Sequence, residues 1–135
     1  MLEEIHPDGM VAAAWAKGYR LGVIASSDHL STHMSYAMVY AEDATREGVY
    51  DAIKQRHTYG ATDNIIVEFR VGNAFMGDEI RVQGETPAIR AKILGTDTIR
   101  EVALVRNNEV VYTVNPAAKQ AEFEYTDKAL SLIHI

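Results

Sequence analysis

The spacing of apolar residues divides the chain into two parts near Asp63. Before this residue, apolar side chains recur at helical spacing in two stretches, and after it apolar and polar residues alternate. The alternating runs are separated by turn-forming pairs such as Gly72-Asn73 and Asn107-Asn108. Short strands separated by such turns are typical of an antiparallel β-sandwich. We therefore predict an α+β fold, in which residues 1–62 form a small α/β part with two helices and residues 63–135 form an antiparallel β-sandwich-like domain.

The first predicted helix follows a turn at residues 6–9 and leads directly into a predicted strand. Asp8 is placed to cap this helix, and Gly18 is placed to adopt the left-handed conformation that commonly ends one. The apolar stripe consists of Met10, Val11, Ala14 and Trp15. The apolar run from Leu21 to Ala25 then predicts a buried strand.

The second predicted helix begins after Thr45, whose hydroxyl can cap the first turn. Its apolar stripe of Val49, Ala52 and Ile53 is narrow, so we expect it to cover a sheet edge. His57 follows this helix, and we interpret it as a charge at the helix C-terminus rather than a ligand. Between the two helices, Met34 to Tyr40 is apolar enough to be a further strand.

Three alternating runs supply the apolar positions of the predicted β-rich part. These positions are Ile65, Val67 and Phe69, then Ile89, Ala91 and Ile93, then Ala121, Phe123 and Tyr125. A strand is also predicted from Ala74 to Val82, interrupted near Gly77. The acidic residues beside that glycine, Asp78 and Glu79, could bind a cation, but a turn between strands explains them better.

The most reactive group of side chains directly follows the run from Leu21 to Ala25. Residues 26–29 read Ser-Ser-Asp-His, and His33 comes four positions after His29. The carboxyl end of a strand is where α/β folds place their sites, and carboxylate and imidazole are ligands for divalent metals such as zinc. One alternative is that Asp28 caps a turn and both histidines are solvated. A serine nucleophile with His29 as its base is disfavoured, because adjacent side chains at a strand end point in different directions.

The run from Gly18 to His29 resembles the last metal motif of PHP-type (polymerase and histidinol phosphatase) phosphoesterases. More narrowly, the chain from about Gly18 to about Val114 is similar to a branch of that superfamily whose barrel carries a C-terminal β-rich extension. The likeness continues through Thr45-Arg46-Glu47, Asp51-Ala52-Ile53, Arg56-His57-Thr58-Tyr59 and Met76-Gly77-Asp78. The superfamily motif has one residue between its Asp and His, whereas Asp28 and His29 are adjacent here. Either His29 or His33 is therefore the expected nitrogen ligand.

The resemblance implies that residues 1–62 are the C-terminal remnant of a PHP-like α/β barrel and that residues 63–135 are its truncated extension. It further implies a cluster of divalent ions (zinc, manganese or iron) that activates water to attack a small-molecule phosphoester. Asp28 with His29 or His33 would supply ligands, and an early His-x-His pair and further ligands would come from residues outside this chain. We therefore expect the isolated chain to be inactive. The alternative is a non-catalytic β-sandwich module that binds a partner or a carbohydrate.

Charge and composition narrow the range of partners. The net charge of −6 and the pI near 5.3 argue against nucleic acid and against an anionic membrane surface. The absence of cysteine excludes disulfides and thiolate zinc sites. No apolar run in the sequence approaches the length of a membrane span, and the N-terminus does not resemble a signal peptide. A cytoplasmic location is the expectation.

We expect homo-oligomers that form through exposed strand edges. The predicted strand from Leu21 to Ala25 has no barrel neighbours in this chain, and the apolar tail from Leu130 to Ile135 contains no turn residue. An unpaired strand edge presents backbone donors and acceptors that recruit another chain. In the alternative, the edges are covered within the chain and the tail is disordered.

Overall fold

The computed structural model describes residues 10–27, 34–81, 86–127 and 133–134. The elements are α1 (Val11–Ala16), β1 (Tyr36–Val39), α2 (Arg46–Lys54), β2 (Thr58–Ala61), β3 (Ile66–Val71), β4 (Ala74–Phe75), β5 (Glu79–Ile80), β6 (Ile89–Ile99), β7 (Val102–Arg106), β8 (Glu109–Val114), β9 (Ala118–Tyr125) and β10 (Ile133–His134). Helices make up 14% of the described residues and strands 44%, and the sheets are antiparallel. The predicted α+β class with a β-rich part is confirmed.

The core of the β-rich part is a four-stranded antiparallel sheet, in the order β4-β3-β6-β9, with the β7–β8 hairpin packed on one of its faces. Ile89, Ala91 and Ile93 of β6 are buried while the residues between them are exposed, as the alternating pattern predicts. The hairpin contributes Leu104 to the core, where it packs with Val71 and Ile89. Burial of alternate residues on one face therefore holds the two layers together.

The turn predictions are confirmed by backbone angles. Asn107 and Asn108 have φ values of 51° and 65°, the pair of left-handed conformations that a tight hairpin turn with the right-handed twist of strands requires. Gly72 has a φ of 58° between β3 and β4. Asparagine and glycine tolerate these angles better than other residues do, which is why the turns are readable from sequence.

Helix α1 ends as predicted but begins elsewhere. Gly18 has a φ of 85°, and its N–H donates to the Trp15 carbonyl while the N–H of Tyr19 donates to that of Ala14. This is the hydrogen-bonding pattern of a glycine-terminated helix. The predicted cap at Asp8 is wrong, because the N-cap is Met10, whose carbonyl accepts the first backbone hydrogen bonds and whose side chain makes no capping bond. Asp8 itself lies outside the described residues.

Helix α2 is capped as predicted. The Oγ1 atom of Thr45 accepts a hydrogen bond of 3.1 Å from the N–H of Gly48. Thr45 also donates to Asp43, and this bond lowers the pKa of the Asp43 carboxyl group. Only Ala52 of the predicted apolar stripe is buried, so the helix covers less surface than its pattern suggests.

The prediction of a buried strand from Leu21 to Ala25 is wrong in this chain. No strand is assigned there, and Leu21 and Ile24 are 50% and 62% exposed. The segment instead packs on β2, where the Thr58 hydroxyl donates to the carbonyl of Val23 at 2.9 Å. A strand requires a neighbouring backbone with which to pair, and no described residue supplies one to this segment.

Strand β2 was not predicted, because its sequence Thr-Tyr-Gly-Ala carries a weak alternation. It forms a two-stranded antiparallel sheet with β1, in which Tyr36 is opposite Ala61 and Val39 is opposite Thr58. Within the tail, residues Ile133–His134 form β10, which lies antiparallel to β5. These two residues are therefore paired within the chain, whereas the alternative to oligomers expected a disordered tail.

Candidate functional site

The loop that carries the predicted metal ligands is held at both of its described ends by one side chain. The Oγ atom of Ser27 accepts hydrogen bonds from the N–H groups of Met34 (2.9 Å) and Ser35 (2.8 Å) and donates to the Ser35 carbonyl at 3.0 Å. The backbone therefore leaves and returns at almost the same place. Asp28, His29 and His33 themselves lie outside the described residues, so their role as ligands stays a prediction.

The two-stranded sheet separates this loop from the other histidine considered in the sequence. Tyr36, next to the returning end of the loop, is opposite Ala61, whereas His57 precedes the far end of β2. The four residues of β1 extend for about 10 Å. His57 is therefore placed away from the loop ends at Ser27 and Ser35 and is not brought to them.

His57 instead belongs to a cluster of charged residues, Arg20, Arg56, His57, Asp78 and Glu79, which we call the charged clasp. The His57 Nε2 atom lies 3.1 Å from Asp78 Oδ1, and the imidazole packs edge-on against Phe75. His57 thus has a specific partner in Asp78, and its interpretation as a charge at the end of α2 rather than a ligand stays a prediction.

The arginines of the charged clasp bind the turn between β4 and β5. Arg56 donates from Nε to the Gly77 carbonyl at 3.1 Å and from Nη2 to Glu79 Oε1 at 3.2 Å. Arg20 forms an ion pair with the other carboxylate oxygen of Glu79. The clasp therefore joins the segment before β2 and the segment after α1 to the β-rich part of the molecule.

The electrostatics of the clasp favour an ionised Asp78. Burial of the carboxyl group raises its pKa. The hydrogen bond from the Phe75 N–H (2.7 Å) and the interaction with His57 together lower this pKa by more than burial raises it. The net effect is a pKa of Asp78 below its usual value. Asp78 and Glu79 are occupied by these partners, which supports the turn interpretation over cation binding.

The backbone at the clasp is tightly constrained. Arg56 has a φ of 63°, which is unusual for a residue with a long side chain, and Gly77 has a φ of 95°. A Cβ atom on Gly77 would collide with the carbonyl oxygen of Arg56 and would lie 2.6 Å from that of Gln55. Gly77 is therefore required both by its own angle and by the close approach of the chain at Arg56.

Two tyrosines tie the two-stranded sheet to β3. The hydroxyl of Tyr40 donates to the Val67 carbonyl at 2.9 Å, and that of Tyr59 donates to the Ile65 carbonyl at 2.9 Å. Burial, followed by the influence of Tyr59 and Glu68, raises the pKa of Tyr40. These hydroxyls serve as structural hydrogen-bond donors between the two parts.

The outer face of the four-stranded sheet forms an open groove of about 400 Å³. Its charged lining residues are Glu68, Arg70, Arg90, Lys92, Glu122 and Glu124. Arg70 pairs with Glu68 and Arg90 with Glu124, each at 2.7 Å, and Lys92 is opposite both Glu68 and Glu122 in the strand register. Three cations and three carboxylates therefore balance one another in a groove without net charge.

Sequence reasoning did not find the charged clasp. Its members are separated by up to 59 positions, as in the pair Arg20–Glu79, and no local pattern links them. The only available signal was the density of charge in Asp78-Glu79 and in Arg56-His57. Within the part of the chain that the structure describes, no three His, Asp or Glu side chains are grouped closely enough to hold a metal ion. No described helix is long and apolar enough to cross a membrane.

The fold and the site define an α+β chain in which a charged clasp and two tyrosines fasten a small helical part to a β-rich part. Residues 21–93 match the family described as "Protein of unknown function (DUF3604)", and the chain belongs to this family. The match begins at the exposed segment and ends within β6.

Similar proteins come from the genus Chlamydia. An uncharacterized protein of Chlamydia trachomatis is 25% identical over 145 residues, which cover 93% of this chain and 23% of the relative. An uncharacterized protein of Chlamydia pneumoniae is 26% identical over 141 residues, which cover 90% of this chain and 23% of the relative. The chain thus spans about a quarter of the length of these relatives. No solved structure matches it.

Proposed function

We propose that the chain is the C-terminal part of a metal-dependent, phosphoesterase-like hydrolase of the PHP superfamily. The observation that carries this proposal is the motif at Gly18–His29, together with the Ser27 hydrogen bonds that bring both ends of the following loop to one place. A loop fixed at its base is a suitable support for ligands, since metal sites need side chains in defined positions.

The chemistry of the donor set fits a divalent metal. Asp28 offers carboxylate oxygens, and His29 or His33 offers an imidazole nitrogen, the combination that zinc and manganese sites use. When bound, such a metal supplies acidity to a coordinated water and charge stabilisation to a phosphoryl group. Asp28 and one histidine are fewer ligands than a catalytic centre needs, so the remaining ligands would come from residues beyond this sequence.

The complete coding sequence around this chain provides the first test. We expect an early His-x-His pair on a predicted strand, and a coding sequence without such a pair would argue against the hydrolase. In the complete protein, Asp28→Ala should lower both the bound metal, measured by mass spectrometry, and the hydrolysis of 4-nitrophenyl phosphate. Asp51→Ala on the exposed side of α2 is the matched control. Equal metal content and activity in both variants would contradict the proposal.

The second candidate is a non-catalytic binding module, and the charge-balanced groove on the four-stranded sheet favours it. A groove lined by alternating donors and acceptors without net charge suits a neutral, polar ligand such as a carbohydrate. If Arg90→Ala weakened the binding of such a carbohydrate and Asp28→Ala did not, the result would favour the binding module over the hydrolase. Under both proposals, we place the protein in the cytoplasm.

A further inference from the structure

Strand β2 supports the chain on both sides of the loop that carries the predicted metal ligands. On the returning side of the loop, β1 pairs with β2, and Val39 is opposite Thr58. On the other side, residues 22–27, which we call the outgoing segment, run alongside β2 without joining its sheet. Both described ends of the loop therefore depend on the same four-residue strand.

Three close approaches align the outgoing segment with β2, and they join Gly22 to Arg56, Val23 to Thr58 and Ala25 to Gly60. They advance in the same direction along both stretches of chain, so the two stretches run parallel. From Gly22 to Ala25, no backbone group bonds to another backbone group within the described ranges. A side-chain hydrogen bond and close packing therefore hold the segment, instead of the backbone pairing of a sheet.

Thr58 provides the polar part of this alignment. The residue is only 8% exposed, and its hydroxyl donates to the Val23 carbonyl at 2.9 Å. A threonine hydroxyl has one proton to donate, and a buried hydroxyl needs a partner for it. The bond therefore selects which carbonyl of the outgoing segment faces Thr58.

Gly60 provides the steric part. A Cβ atom at this position would lie 2.8 Å from the Cβ of Ala25 and 3.1 Å from the Ala25 backbone nitrogen, closer than side chains pack. Gly60 is not one of the glycines with positive φ, so its own backbone angles do not explain the residue. The glycine is explained by the close approach of a second backbone.

The register of the outgoing segment determines the position of the Ser27 hydroxyl. Along the segment, exposed residues alternate with half-buried ones, and Ser27 is on the half-buried side with Val23 and Ala25. A shift of one residue along β2 would exchange the two sides. Ser27 would then turn away from the N–H groups of Met34 and Ser35, and the two ends of the loop would lose their shared hydrogen bonds.

We infer that Thr58 and Gly60 are positioning residues for the predicted metal ligands, because they set the register of the segment that leads into the loop. This inference rests on the proposed hydrolase function. Replacing a residue that orients metal ligands without touching the metal typically weakens metal binding by about 10- to 100-fold. Thr58 and Gly60 act in this way through the outgoing segment and the hydrogen bonds of Ser27.

Hydrogen–deuterium exchange of this chain, followed by NMR, tests the structural step without a metal. Thr58→Val keeps the shape of the side chain and removes the hydroxyl, so the Met34 and Ser35 amides should exchange about 10-fold faster. Thr58→Ser keeps the hydroxyl and should exchange like the native chain. The amides of β6, which lies between β3 and β9, report global unfolding and should keep their rates. Thr113→Val, at an exposed position on β8, is the matched control.

Native exchange rates at Met34 and Ser35 in Thr58→Val would overturn the inference. A second pair of variants tests the steric step and decides the matter if Thr58→Val also accelerates exchange in β6. Gly60→Ala places a methyl group against Ala25 and should accelerate exchange at the two loop amides. Adding Ala25→Gly removes this collision and should restore part of the protection. A double variant that exchanged as fast as Gly60→Ala alone would also overturn the inference.

Titration of the metal-free complete protein with Mn²⁺, measured by electron paramagnetic resonance, tests the step from β2 to the ligands. Thr58→Val should weaken Mn²⁺ binding by about 10-fold, and Thr58→Ser should bind like the native protein. Equal affinities in the native protein and Thr58→Val would contradict this inference and leave the hydrolase proposal standing. A native protein that bound no Mn²⁺ would contradict the hydrolase proposal itself, and with it the role of Thr58 and Gly60 toward a metal.

Discussion

At the scale of single residues, Asp78 has the most clearly defined role. Its two carboxylate oxygens accept from His57 and from the N–H of Phe75, and so connect the start of β2 with the β4–β5 turn. The lowered pKa of Asp78 means that the folded protein favours the ionised carboxylate more than the unfolded chain does. Stability from this group is therefore present above the unfolded pKa and is lost as the pH falls through the folded pKa.

We predict that Asp78→Asn destabilises the protein at pH 7 by about 1 kcal/mol, because 40% of the side chain is exposed and solvent screens its charge. The difference from the native sequence should shrink as the pH is lowered from about 4 to about 2, where the native carboxyl group is itself protonated. Urea unfolding of both proteins at several pH values measures this difference in unfolding free energy. Asp97→Asn, at an exposed carboxylate that bonds the N–H of Thr98, is the control and should be nearly neutral. A difference independent of pH would contradict the explanation.

At the scale of elements, two glycines with positive φ lie in different surroundings. Gly18 terminates α1 with a φ of 85° and has no atom within 4 Å of its missing Cβ. Gly77 lies in the turn between β4 and β5 with a φ of 95°, directly against the backbone of Arg56. The two positions share the conformational requirement but differ in the space available.

We predict that Gly18→Ala costs about 1 kcal/mol of unfolding free energy, the strain of a left-handed alanine. Gly77→Ala should cost about 3 kcal/mol or more, because the added methyl group must also displace the Arg56 backbone. Thermal and urea unfolding of both variants provide the comparison. Equal losses would mean that the close approach of the Arg56 backbone adds nothing to the cost of the substitution at Gly77.

At the scale of the whole molecule, we predict that this chain alone shows no appreciable phosphoesterase turnover with zinc or manganese. A catalytic metal centre needs several ligands and an open position, and Asp28 with His29 or His33 would supply fewer ligands than that. Hydrolysis of 4-nitrophenyl phosphate and calorimetric titration of each metal measure this directly. Tight stoichiometric binding that disappears in Asp28→Ala would show that the chain holds a complete site.

The sequence by itself determined the elements whose signal is local. Alternation at Ile89, Ala91 and Ile93 predicted β6 because a strand with one buried face repeats every two residues. The hairpin turn at Asn107-Asn108 and the cap at Thr45 followed from side chains that act on their own backbone. From the candidate site, the sequence provided the ligand prediction at Asp28, His29 and His33, which stays a prediction.

Only the tertiary structure decided the features that depend on distant partners. The charged clasp joins Arg20 to Glu79 and His57 to Asp78, and β2 exists because β1 pairs with it. The segment from Leu21 to Ala25 also depends on distant partners. An apolar run becomes a buried strand only where neighbouring backbones cover it, and this segment stays exposed in the structure. Burial and ion pairing depend on which segments of the chain contact one another. The hydrophobic spacing along a single segment does not determine those contacts.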